Sequence, residues 1–260
     1  MQLAGFEEST FEHAGVPRTV FRRGTGPGVV IMHEIPGITP DVAEFARRVA
    51  DAGFTVFMPD LFGTPGKELS AAYNVGQLAR ACIAREFKVL AANESSPLVD
   101  WLRALCRRAH EELGGRGVGA LGMCITGNFA LTLMVDPSVA APVLSQPSLP
   151  FAVGAKRRAG LHVSESDLVA IKRRAENEGV CVLGLRFTHD FMVPKERFER
   201  LRAELGEHFE GIEIDSSPGN PHGLSRFSHS VLTKDLVDRE GHPTRAALDR
   251  VLSFFAEHLR

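Results

Sequence analysis

Cys124 sits in Gly122–Met123–Cys124–Ile125–Thr126–Gly127, between two apolar runs. The first, Val118 to Met123, is short and bounded by glycine, as a buried strand is. The second, Asn128 to Val135, is long enough to begin a helix. A strand, a sharp turn carrying a nucleophile and then a helix make a nucleophile elbow. Small residues belong at such a turn because its backbone is strained. A thiol at a helix start also feels the positive end of the helix dipole, which favours thiolate. The chemistry would be attack by sulphur on a carbonyl carbon. Against this stands the plainer reading of Cys124 as a small buried packing residue. Thr126 occupies the position that is glycine in most elbows.

Attack by a thiol needs a base, and the base needs an orienting acid. Asp190 follows the apolar run Val180–Phe187 and precedes Val193–Pro194, so it lies at a strand end; a helix-capping role is the alternative. His222, in Asn220–Pro221–His222–Gly223, follows the apolar triplet Ile212–Ile214, and His229 is its rival for the same role. Glu34 closes another buried run, Gly28–Met32, directly after His33. Thus Glu34, Cys124, Asp190 and His222 each fall just beyond a predicted strand. In a parallel sheet that is where chemistry collects, which favours catalysis over packing for Cys124. The backbone N–H groups of Ile125, after the nucleophile, and Ile35, after the first buried strand, are the expected oxyanion donors.

The elements that must position these residues alternate. A hairpin spans Thr10 to Arg22, and strands are predicted at 28–32, 54–58, 118–123, 140–144, 180–187 and 212–214. Helices are predicted from Asp41 to Gly53, over 78–90, from the Ser96 cap, after Cys124, over 164–178 and 194–205, and over 244–259. Strands alternating with helices imply an α/β fold with a mostly parallel central sheet covered on both faces. With no linker or repeat, residues 1–260 read as one domain.

Composition narrows the function classes. A net charge of -2 gives no electrostatic footprint for nucleic acid or an anionic membrane. The N-terminus has no basic and apolar leader pattern, and no apolar run is long enough to span a membrane. Cys82, Cys106, Cys124 and Cys181 form no CxxC pair, so neither a zinc site nor a disulfide framework is expected. A reducing cytoplasm is the expected location.

The order nucleophile, acid, histidine is that of α/β-hydrolases. Four features together resemble the dienelactone hydrolase family over most of the chain: Glu34–Ile35–Pro36–Gly37, the Gly-x-Cys elbow, Asp190-x-x-Val193–Pro194, and His222 with Arg226 four residues on. The resemblance implies an α/β-hydrolase fold, a Cys124–His222–Asp190 triad, and a Glu34 that contacts the resting thiol and helps to activate it when substrate binds. It implies that Arg226 binds a substrate carboxylate. A second cation could come from Arg85 or Arg80. The implied partner is a small ester or lactone carrying a carboxylate, with no cofactor. A general carboxylesterase with another acyl preference and a non-catalytic binder on the same scaffold are the competing readings.

Overall fold

The computed structural model describes residues 3–68 and 97–260. The predicted 78–90 helix, the Ser96 cap, Arg80, Cys82 and Arg85 lie outside the described residues. Strands β1 (Glu7–His13) and β2 (Val16–Arg23) form the hairpin. Its two-residue turn, Ala14–Gly15, has positive φ at both positions, which matches the twist of the flanking strands. Then follow β3 (Gly28–Met32), α1 (Pro40–Asp51), β4 (Thr55–Pro59), α2 (Pro97–Leu113), β5 (Val118–Met123), α3 (Gly127–Leu133) and β6 (Val139–Ser145). The chain closes with α4 (Gly154–Arg158), α5 (Glu165–Glu178), β7 (Val182–Phe187), α6 (Lys195–Leu205), β8 (Phe209–Ile214) and α7 (Pro243–Leu259).

The eight described strands make one sheet in the order β1-β2-β4-β3-β5-β6-β7-β8. Only the β1 and β2 pairings are antiparallel; from β4 to β8 neighbours run parallel. Every residue of β3, β4, β5 and β7 is buried, as expected for strands covered on both faces. Successive side chains point to opposite faces. Val30, Met32 and Ala120 therefore enter one core, with α2, α3, α5 and α6. Val29, Ile31 and Leu121 enter the other, with α1 and α7.

Helix ends follow their capping chemistry. Thr39 caps α1 by accepting the Val42 N–H, so the helix opens at Pro40, one residue before the predicted Asp41. Ser164 caps α5 at Asp167, and Gly179 ends it in the left-handed conformation. The edge strand β8 is three residues longer than predicted; Glu210 and Gly211 mask its first half. The one tryptophan, Trp101 on α2, ties this helix to the hairpin. Its indole N–H donates to the Val16 carbonyl (2.9 Å), and its ring meets Phe11 edge-on at 5.2 Å. Among the described residues, no helix is long and apolar enough to cross a membrane.

Candidate active site

Five strand ends on the carboxyl edge of the sheet supply the site. At the end of β5 the chain enters a single 3-10 turn, Cys124–Thr126, before α3. Cys124 has φ 55°, a strained backbone for a residue with a side chain. The turn is tight enough that a Cβ on Gly122 would stand 2.0 Å from the Thr126 carbonyl oxygen, and one on Gly127 2.6 Å from the Pro147 Cα. The glycines are thus required at 122 and 127, and a side chain is tolerated at 126. Thr126 uses it: its hydroxyl accepts the Met123 N–H (2.9 Å) and reaches the Met32 carbonyl (2.9 Å), pinning the elbow to β3.

Beyond β7, Asp190 is buried. One carboxylate oxygen accepts the Met192 N–H (2.9 Å); the other meets Nδ1 of His229 at 2.6 Å. Arg186 steadies this loop by donating to the carbonyls of Val193 and Thr188, both at 2.9 Å. The segment carrying His229 is held by Asp235, whose carboxylate accepts the backbone N–H groups of His229 (2.8 Å) and Ser230 (2.9 Å). Nε2 of His229 makes no hydrogen bond of regular geometry, but the ring interacts with the Cys124 thiol. Burial alone would push the imidazole down. The negative charge of a Cys124 thiolate and the hydrogen bond to Asp190 overcome this and hold it well above 6.5.

The histidine expectation is therefore corrected. His222 is exposed in the β8–α7 loop, its backbone N–H capped by Asn220 and its ring 5.4 Å from that of His242. Seven residues further on, His229 is the one that meets Asp190. The Arg226 expectation falls with it. Arg226 is exposed and lies over the Phe227 ring (4.7 Å) rather than in the pocket lining. The residue four beyond His229 is Thr233, and its hydroxyl donates to Glu34.

Glu34 lines the pocket with Cys124, but its carboxylate is engaged elsewhere: by Thr233, by Ser230 (2.8 Å) and by Gln146 Nε2 (3.2 Å). The expected contact with the resting thiol is replaced by a different neighbour. The Ser148 hydroxyl, in the loop after β6, lies 3.5 Å from Cys124 Sγ. Gln146 and Ser148 are the site residues that the sequence reading missed. His33 is fully buried: Nε2 accepts the Leu61 N–H (3.0 Å) and burial lowers its pKa to about 4, so it is a neutral strut between two loops. His189 is exposed.

The pocket over the thiol holds about 270 Å³. Ile35 and Ile125, the expected oxyanion donors, line it. Phe151, Met192 and Phe227 add apolar wall, and Lys234 and Asp235 stand at its polar side. Among the described residues no cluster of His, Cys, Asp and Glu could hold a metal ion. Cys106 is fully buried and burial raises its pKa; burial raises that of half-buried Cys181 too, and neither lines the pocket.

The model of the dienelactone hydrolase family matches residues 16–259. A candidate carboxymethylenebutenolidase of Saccharomyces cerevisiae is 24% identical over 203 residues, 77% of this chain and 70% of the yeast protein. Among solved structures, a candidate dienelactone hydrolase from Klebsiella pneumoniae is similar with a TM-score of 0.63 at 19% identity, over 97% of this chain and 98% of that one. A dienelactone hydrolase-like promiscuous phosphotriesterase from metagenomic libraries is similar with a TM-score of 0.61 at 18% identity, over 98% of both chains. The fold is that of the α/β-hydrolases.

Proposed function

We propose that this chain, which belongs to the dienelactone hydrolase family, is a cysteine-dependent hydrolase of small esters or lactones. Cys124 is the nucleophile, His229 the base and Asp190 the group that orients it. The observation that carries this reading is the placement of His229 between the Asp190 carboxylate and the Cys124 thiol.

The thiolate attacks the carbonyl carbon, and the carbonyl oxygen takes up charge against the N–H groups of Ile125 and Ile35. Nε2 of His229 gives its proton to the leaving alkoxide as the C–O bond breaks, leaving a thioester on Cys124. His229 then takes a proton from water, the hydroxide adds to the thioester, and the thiolate leaves with the acid as product. Asp190 keeps the proton on Nδ1 throughout, so Nε2 always faces the reacting atoms. Glu34 acts here as a positioning residue. Its bonds to Ser230 and Thr233 moor the histidine segment to the end of β3. A reducing cytoplasm suits a free nucleophilic thiol.

Two readings of the substrate remain, and each has an observation behind it. Lys234 at the pocket offers a cation to a carboxylated lactone or ester. The walls of Ile35, Ile125, Phe151, Met192 and Phe227, with Arg226 stacked outside, favour a neutral ester.

The test of the mechanism is to mix the protein with an activated ester, quench on the millisecond scale and locate the acyl group by peptide mass spectrometry. Acylation of Cys124 that disappears in Cys124→Ala is the expected result. Turnover without acylation of Cys124, or undiminished turnover in folded Cys124→Ala, would overturn it.

A further inference from the structure

Ser148 is fully buried directly beside the nucleophile, and no role in the mechanism above uses it. Its hydroxyl has one proton and two acceptors within reach: Cys124 Sγ at 3.5 Å and the Gln146 carbonyl at 3.1 Å. The residue cannot drift from the sulphur, because its backbone N–H donates to the Cys124 carbonyl (2.9 Å). The flanking chain is fixed too. Arg197, itself fully buried, donates to the carbonyls of Pro147 and Pro150 on either side. Asn128 donates to the Leu149 carbonyl. This is far more bracing than a surface loop requires, and it brings one hydroxyl to one sulphur.

A neutral thiol or a thioester sulphur is a weak acceptor, whereas a thiolate is a charged one. The preference of the Ser148 proton therefore depends on the state of Cys124. We propose that Ser148 is a catalytic residue, its hydroxyl donating to the Cys124 sulphur when that sulphur is a thiolate and turning to the Gln146 carbonyl once it carries the acyl group. The bond supports the charged form of the nucleophile. It is released without leaving a buried hydroxyl unpaired. On deacylation the proton swings back as the thiolate departs, which aids the second step as well.

The inference rests on Cys124 being the nucleophile, and the test separates the two. In Ser148→Ala and Ser148→Thr, the rate of iodoacetamide labelling of the Cys124 peptide is followed against pH, alongside the millisecond acylation rate with an activated ester. Loss of a hydrogen bond to a charged sulphur moves the labelling profile of Ser148→Ala toward higher pH by about one unit or more and, at pH values below the midpoint of that profile, slows acylation by a smaller factor, because the sulphur that does ionise is the stronger nucleophile. Ser148→Thr, which keeps the hydroxyl, restores both. A role confined to packing would move thermal unfolding but not the labelling profile. An unchanged profile and acylation rate in folded Ser148→Ala overturn the proposal, as does a Ser148→Thr profile displaced as far as that of Ser148→Ala. If Ser148→Ala does not fold, Ser148→Gly is read in its place, with the same outcomes. Failure of the wild-type protein to acylate at Cys124 would instead remove the proposed function.

Discussion

Replacing His229 by Gln is the most exposed test of the site, because the neighbouring candidate His222 offers a matched control. The His229 ring bonds Asp190 at 2.6 Å and faces the thiol on its other side. Gln can still donate an amide to Asp190, so the buried carboxylate keeps a partner and the fold survives. What is lost is the proton carrier. General acid–base catalysis is worth about 10²- to 10⁴-fold, which at about 1.4 kcal/mol per decade is about 3–5 kcal/mol of barrier. The loss appears in acylation and deacylation alike, since the same nitrogen serves both. His222→Gln changes an exposed loop residue and leaves stability within about 0.5 kcal/mol and activity unchanged. Single-turnover kinetics with an activated ester read both steps. The pH dependence has a definite sign. The His229 pKa is raised in the folded state, so its imidazolium stabilises the fold fully below pH 6.5 and ceases to do so as the pH rises through the raised value. The stability difference between wild type and His229→Gln in urea should therefore shrink with rising pH. A fully active His229→Gln beside a crippled His222→Gln would refute the reasoning from geometry.

Three further outcomes are expected. Lys234→Gln should raise KM for an anionic ester about two- to five-fold, the worth of an exposed ion pair of up to about 1 kcal/mol, and leave a neutral ester untouched; no change for either substrate selects the neutral-ester reading. Arg197→Met leaves the buried Pro147 carbonyl and the part-buried carbonyls of Pro150, Arg157 and Gly160 without this donor, and at about 1–3 kcal/mol for a buried group left dry should cost about 2 kcal/mol or more in urea denaturation. Thr126→Val orphans the buried Met123 N–H and should cost about 1–3 kcal/mol with a fall in kcat; a stability within experimental error of wild type would show that the elbow does not depend on this tie.

The interior of the fold was legible because β3, β4, β5 and β7 are buried on both faces and so must be apolar throughout. The edge strand β8 was legible only in its second half, since partial exposure allows Glu210 and Gly211 there. The five-residue helix α4 is exposed or half-exposed throughout and carries no apolar face to read. Cys124 and Asp190 could be placed at their strand ends because their flanks obey backbone rules: glycines at a strained turn, and proline opening a helix. His229 could not, because the β8–α7 loop has no periodicity and its geometry is set by long-range acceptors. Asp235 shapes the turn, and Ser230 and Thr233 answer to a glutamate some 200 positions earlier. The four-residue spacing of His222 and Arg226 drew attention to a histidine that lies exposed and does not meet Asp190. Gln146 and Ser148 did have a signal. They follow a buried strand, as Glu34, Cys124 and Asp190 do, and the same rule applied to β6 would have found them.

The placement of Trp101 determines what light can report about this molecule. Its indole is wedged between α2 and the β1–β2 hairpin, and by strand order two strands, β4 and β3, lie between β2 and β5, which bears the thiol. Intrinsic emission on excitation at the red edge is therefore a gauge of the sheet's outer margin and is blind to events around Cys124. Chemical labelling of the thiol watches the interior of the same sheet. Followed together through a denaturant titration, the two signals are independent witnesses at two points of one sheet. Their coincidence or separation says whether the hairpin peels away before the strand bearing Cys124 is disturbed, or whether the whole sheet yields at once.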